Sequence, residues 1–331
     1  VDPVTHIAAG ALIGQSLRKK FPGKGIVWFA MAAAWIPDVD NAAAFFSPEF
    51  YLLYHRGVTH SFVGGAAIAL ILAAVYRLIE RKGSFWVYAG VAYGCVLSHI
   101  FLDVITSYGT MIFAPMSNVR YSLHSVFIID PIYSGVMLTI LIFSFAVRNK
   151  RTIIALIGLG WIALYPLANY ALAQSLEKSL AAGFNDKGIA YERVDVTADA
   201  LSPLYWKVVT REKDRYTISY VALWNSGEPE GQEDFHVADP VIMRRFGRKA
   251  SIFNTYQWFA LYPYSIRDNS GNGTKIVIGD LRFYSVSPIA KGLLSRRKTP
   301  FVLTAYLDGG GNLVKYSYQR PGRVIFVQHI Q

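Results

Sequence analysis

The stretch SFWVYAGVAYGCVLSHIFLDVI, from Ser84 to Ile105, decides the fold class. No Asp, Glu, Lys or Arg interrupts it before Asp103. A helix of this length covers roughly 30 Å at about 1.5 Å per residue, the thickness of a bilayer's hydrocarbon core. Its far end breaks the apolar pattern. His99 and Asp103 stand four apart, a spacing that stacks both side chains on one helix face. The bland reading is a buried His–Asp hydrogen bond, but an ionisable pair in a membrane helix bears a desolvation cost that makes function the default explanation.

Working outward, further apolar runs occupy about Gly25–Pro37, Ser61–Ile79, Pro131–Val147 and Thr152–Ala173. A shorter one, His6–Leu17, suits a half-buried or re-entrant helix. Hydrophobic residues make up 53% of the 331 and charged residues 17%, below the roughly 25% charged of soluble domains. The mean hydropathy of +0.29 agrees. Residues 1–176 are therefore expected to form an α-helical polytopic membrane domain of about five to six helices. The opening residues lack the basic n-region and A-x-A-like site of a secretory signal, so they are expected to belong to the fold.

Beyond about Asn185 the pattern alternates β-branched and aromatic residues, as in Tyr216–Val221 and Lys275–Gly279, which predicts strands. Asp308-Gly309-Gly310-Gly311-Asn312 reads as a hairpin turn. Asp239-Pro240 opens a capped helix of about twenty residues. Residues 185–331 are thus expected to form a mainly β soluble domain with one helix.

The net charge of +11 does not make nucleic acid a partner. Arg18, Lys19, Lys20 and Lys24, then Arg77, Arg81 and Lys82, then Arg148, Lys150 and Arg151 fall in alternate loops. The positive-inside rule makes these cytoplasmic. The opposite connections keep Arg56 and Arg120 but carry Asp2, Asp38, Asp40, Glu49, Asp103 and Asp130. The chain is expected to be a multi-pass protein of a bacterial inner membrane, with those connections and the β domain periplasmic. Arg244-Arg245 and Arg296-Arg297-Lys298 read as solvated faces.

Five of the seven histidines precede residue 125: His6, His55, His60, His99 and His124. The topology gathers them at outward helix ends beside the carboxylates. Asp38-Val39-Asp40, taken as extended, would point both carboxylates to one side, and adjacent like charges favour a cation between them. His55-Arg56-Gly57-Val58-Thr59-His60-Ser61 aims two imidazoles from one turn, with Arg56 available for a bidentate phosphate or carboxylate contact. With Cys95 the sole cysteine, a metal would have to rely on nitrogen and oxygen donors. Such donors suit Zn²⁺ best, with Mn or Fe as alternatives, and suffice for one or two ions. A bound ion makes hydrolysis accessible. The candidate ligands are His6, Asp38, Asp40, His55, His60, His99 and Asp103, with either member of the Asp38/Asp40 and His55/His60 pairs open. Arg56 and His124 are candidate catalytic residues.

Asp2–His6 (DPVTH), Pro37-Asp38-Val39-Asp40, the 55–61 block and Ser98-His99-(x3)-Asp103 together resemble the YdjM-like inner-membrane proteins, usually described as metal-dependent hydrolases. The resemblance covers roughly residues 2–170. It implies a distant similarity to zinc-dependent phospholipase C and single-strand zinc nucleases. On that likeness His6, one Asp of 38/40, one His of 55/60, His99 and Asp103 would be ligands, with Asp103 bridging two ions. A membrane lipid or lipid-linked substrate is expected, and a protein partner of the C-terminal domain is open. Two other classes compete. A metal or ion transporter would place its ligands nearer the midplane, and a structural envelope protein would use the ion only to staple loops.

Overall fold

The structure is a computed structural model that describes residues 1–21, 25–225, 227–271, 273–294, 299–319 and 325–330. Lys24 and the Arg296–Lys298 cluster lie outside the described residues. The chain divides into two compact units, Val1–Ala42 with Tyr54–Leu172, and Ala43–Leu53 with Ala173–Gln331.

The first unit is helical. It comprises α1 (Pro3–Leu17), α2 (Gly25–Trp35), α4 (Phe62–Glu80), α5 (Phe85–Val104), α6 (Pro131–Ala146) and most of α7 (Arg151–Asp186); α3 (Pro48–Tyr54) falls almost wholly in the second unit. Three of these, α4, α5 and α7, are long and apolar enough to cross a membrane, and α6 is a shorter apolar helix. The caps follow a repeated rule. Asp2-Pro3 and Asp130-Pro131 open α1 and α6, each Asp accepting from a first-turn N–H while proline occupies the position whose N–H would go unused. Helices α1 and α2 approach each other closely. A β-carbon at Gly10 would lie 2.5 Å from the Ala30 carbonyl oxygen, and one at Gly14 2.6 Å from Val27 Cα, so the pair packs backbone to backbone.

α7 continues through Pro166. Proline removes the hydrogen bond to the carbonyl four residues back, which is that of Ile162. The buried Tyr133 hydroxyl donates to that oxygen at 3.0 Å. A cluster of Leu12, Leu102, Ile105, Tyr133, Met137 and Ala155 joins four helices around this contact.

In the second unit nine described strands form one antiparallel sheet in chain order, from β1 (Arg193–Ala198) and β2 (Tyr205–Glu212) through β3 (Arg215–Ala222), β4 (Glu230–Val237), β5 (Pro263–Gly271), β6 (Gly273–Asp280), β7 (Val302–Leu307) and β8 (Leu313–Gln319) to β9 (Ile325–His329). On β7, Leu303, Ala305 and Leu307 are buried while their neighbours are not, the period-2 signature of a one-sided core. The helix expected after Asp239 is divided into α8 (Pro240–Gly247) and α9 (Ile252–Phe259), and a further helix, α10, covers Pro288–Leu294. The division brings Phe246 and Phe253 to a ring separation of 5.3 Å, both buried. Asp280 and Arg282 form a buried ion pair at 2.7 Å. The turn at 308–312 is closed by the Asp308 carboxylate, which accepts from the Gly310 and Asn312 amides.

The segment Ala43–Leu53 packs as part of this second unit. Glu49 accepts hydrogen bonds from the Ser251 and Thr255 hydroxyls, each at 2.7 Å. Tyr51 stacks toward Phe301, and Leu52 is fully buried.

Candidate metal centre

Three elements of the helical unit converge on one buried point. α5 supplies His99 and Asp103 from one face of its last turns. A 3₁₀ turn over Val58–His60, immediately before α4, supplies His60, and the chain enters α4 through Ser61, whose hydroxyl accepts from the Gly64 amide. A 3₁₀ segment over Ile36–Phe45 supplies Asp38 and Asp40. The extended geometry expected for the two aspartates is therefore replaced by a helical one, and the two carboxylates take different places.

His60 Nε2 lies 2.9 Å from His99 Nε2 and 3.2 Å from Asp103 Oδ2. Asp38 Oδ1 is 3.7 Å from His60 Nε2 and 3.8 Å from His99 Nε2. One donor atom from each of Asp38, His60, His99 and Asp103 falls within 4.8 Å of all the others. His60, His99 and Asp103 are fully buried. This buried group could hold a metal ion.

The rings are turned for that task by what lies behind them. His99 Nδ1 is 2.6 Å from the Ala34 carbonyl oxygen at the end of α2. A carbonyl only accepts, so Nδ1 carries the proton and Nε2 presents its lone pair to the centre. His60 Nδ1 meets Asp40 Oδ2 at 3.0 Å, the carboxylate–histidine arrangement that fixes a ligand's tautomer and raises its basicity. Asp40 also takes His55 Nδ1 at 2.8 Å, the Thr59 hydroxyl at 2.7 Å and the Arg56 amide at 3.0 Å. It stands behind the centre, outside the group of four.

A family model described as "YdjM inner membrane protein" matches residues 1–176 of the 331. The chain belongs to the YdjM inner membrane protein family. Among curated proteins, "Uncharacterized protein YfhP" of Bacillus subtilis (strain 168) is 25% identical over 142 residues, 40% of this chain and 42% of the relative. The match thus spans about two fifths of that relative's length. No solved structure matches.

The remaining candidates of this YdjM-family chain take up positions around the four. His6 is fully buried and stacks on His99 with ring centroids 3.7 Å apart, its Nε2 3.3 Å from Asp103 Oδ1. His55 is held by Asp40 rather than placed among the four. Arg56, expected to be open to an anionic ligand, is 4% exposed and turned inward. Its guanidinium pairs with Asp103 Oδ1 at 2.8 Å, donates to Thr106 Oγ1 at 3.0 Å and lies 4.9 Å from the Tyr108 ring centroid. Its backbone, with φ of 57°, adopts a left-handed conformation that costs a non-glycine residue about 1–2 kcal/mol. The Arg56–Asp40 and Met111–Arg56 backbone contacts hold it there. His124, expected near the site, contacts Ser122 Oγ at 2.9 Å and is not one of the converging residues. Arg120 binds the Gly109 and His55 carbonyls. The Ala34 carbonyl had no sequence signal, because a backbone acceptor leaves no mark in residue type.

The donor set suits a cation. Among the described residues His6 Nδ1 is buried without a hydrogen-bond partner, which is costly unless something else satisfies it. Charge balance points the same way. Burial opposes a charged His60, yet its hydrogen bonds with Asp103, Asp38 and Asp40 outweigh burial and push its pKa up to about 10. Burial likewise works against an ionised Asp40, but hydrogen bonds with His55 and His60 hold it well below the usual carboxylate range. Asp38, Asp40 and Asp103 surround the His60 ring, and their negative potential holds a proton where a divalent ion would fit.

Proposed function

We propose that this protein is a membrane-embedded, metal-dependent hydrolase acting on a phosphoester or related bond in a lipid or lipid-linked substrate. The observation that carries the reading is the meeting of His60 Nε2, His99 Nε2, Asp38 Oδ1 and Asp103 Oδ2, with both imidazoles oriented from behind. These four would hold the ion, zinc by preference for a mixed nitrogen and oxygen set. A second ion would call on His6, the remaining buried imidazole beside the four. When bound, the metal would supply Lewis acidity and a nucleophile usable at neutral pH.

The chain's own residues do the rest. Asp40 fixes the His60 ring and keeps its Nε2 lone pair aimed inward. Arg56 neutralises part of the Asp103 charge and locks its carboxylate, so the ligand does not swing when substrate arrives. The periplasmic placement of the site, argued from loop charges, belongs to this proposal.

Elemental analysis of the purified full chain tests the reading, with His60, His99, Asp38 and Asp103 replaced in turn. At least one equivalent of a divalent metal is expected in the unsubstituted protein, with H99A and D103N falling to background. The loaded protein should hydrolyse at least one member of a panel of phospholipids and lipid-linked phosphates. Undiminished metal content in both variants, together with an inert panel, would sink the proposal.

A further inference from the structure

The strand register sets a second group of side chains in line, far in sequence from the metal centre. Lys275 on β6 pairs with Tyr306 on β7, Tyr306 with Lys315 on β8, and Lys315 with His329 on β9. Directly paired residues of neighbouring strands share a face, so Lys275, Tyr306, Lys315 and His329 form one continuous row. The face is the solvent side. One residue along, Ile276, Ala305 and Tyr316 point to the opposite side and are buried. The four residues of the row line an open cavity of about 450 Å³, with Thr274 and Val314 at its margin.

The chemistry of the row is cationic and aromatic. Lys315 Nζ lies 4.6 Å from the Tyr306 ring centroid, a cation–π distance. Among the described residues neither Lys275 nor Lys315 takes part in an ion pair. Elsewhere in this unit exposed cations do find carboxylates: Arg193 with Asp195, Arg215 with Asp234 and, from α10, Lys291 with Glu233. One carboxylate, Asp268, stands opposite Lys275 at the end of the row. Lys275 and Lys315 are two strands apart, roughly 9–10 Å between backbones. That is a span two flexible ammonium groups can close over one tetrahedral anion above the Tyr306 ring.

We propose that Lys275, Tyr306, Lys315 and His329 form a binding site for a phosphate-bearing ligand on the outer face of the sheet. The two ammonium groups take the phosphate oxygens, the tyrosine ring floors the site, and His329 adds a ring nitrogen at its open side. A phosphomonoester in solution and a phospholipid headgroup share this chemistry. The site is independent of the proposed hydrolysis, since none of its residues is a candidate metal ligand.

Two probes separate the sources, both applied to the full chain in detergent with and without chelator. Glycerol 3-phosphate is titrated by calorimetry, and phosphatidylglycerol and phosphatidylcholine are compared by native mass spectrometry. Binding of glycerol 3-phosphate assigns a soluble phosphoester, and retention of phosphatidylglycerol alone assigns a lipid headgroup. In either case K275Q/K315Q should weaken binding roughly thirtyfold. K275R/K315R should preserve it, and chelator should leave it unchanged. Failure of both probes to bind, or equal binding by the folded K275Q/K315Q variant, overturns the proposal. Loss of binding on chelation also overturns it and assigns the phosphate to the metal centre instead.

Discussion

Asp40 gathers four groups around the site, yet it contributes no atom to the group of four. Its carboxylate fixes His60, His55, Thr59 and the Arg56 amide. Removing its charge while keeping its shape, as in D40N, is expected to weaken metal affinity by about 10- to 100-fold. Competition with a chromophoric chelator measures this, and an affinity equal to the parent's would show that His60 needs no support. The raised pKa of His60 gives a second expectation, with opposite slopes for two measurements. A divalent ion must displace the proton that His60 otherwise keeps up to about pH 10, so metal affinity should climb with pH across the neutral range, up to about tenfold per unit for one proton released. The metal-free protein should behave the other way. A histidine whose folded pKa is raised contributes stability that is fully present below about 6.5 and fades as pH rises toward 10, so the melting temperature of the chelated protein should drop over that interval. At this scale much was legible: the i, i+4 pair His99/Asp103 and the 55–61 block mark residues that the fold does bring together. The division of labour between Asp38 and Asp40 was not, because it depends on a 3₁₀ backbone that a two-residue spacing does not encode. Nor was the inward turn of Arg56, since a charge count cannot distinguish an arginine open to ligand from one already paired.

Helices α1 and α2 reach one another because residues 10 and 14 carry no side chain. A β-carbon at residue 10 would meet the Ala30 carbonyl at 2.5 Å, a collision with backbone that no rotamer relieves. G10V is therefore expected to cost about 1–3 kcal/mol or more and to disturb the metal centre as well, because α2 ends in the carbonyl that orients His99. A thermal melt in detergent paired with metal content reads both effects, and normal values for each would show that the helices can separate without consequence. The hydroxyl of Tyr133 makes a complementary case in α7. Y133F leaves the Ile162 carbonyl buried and unpaired, at an expected cost of about 1–3 kcal/mol, with metal content unchanged. Apolar run length located these helices in the sequence, and Asp130-Pro131 and Asp239-Pro240 marked two helix starts, whereas the first helix, read from His6, begins at Pro3. What run length could not give was the continuation of α7 to Asp186, where the composition turns polar while the helix goes on, or the break between α8 and α9, across which Phe246 and Phe253 pack.

The family match ends at residue 176, whereas the compact units are interleaved along the chain. Residues 43–53 lie between Asp40 and His55 in sequence but pack with residues 173–331. E49A removes the acceptor for both Ser251 and Thr255 and is expected to destabilise the second unit by about 1–2 kcal/mol, given that Glu49 is half-exposed. Hydrogen exchange localised to α3 and α9 checks this, and unchanged protection in both would show that the segment is a passenger. The hydropathy shift near residue 185 made a helical part and a β part visible in the sequence, but nothing local in the short apolar stretch around Leu52 shows which partner it will find. That partner is distant: Ser251 and Thr255 follow Glu49 by 202 and 206 residues. At about 5–20 residues per second, the ribosome needs roughly 10–40 s to deliver them. Throughout that interval Leu52 has no core to enter, and the loop joining two of the metal-site residues is only half anchored. Birth of the protein thus contains an enforced wait, during which the apolar stretch around Leu52 stands without the residues it packs with.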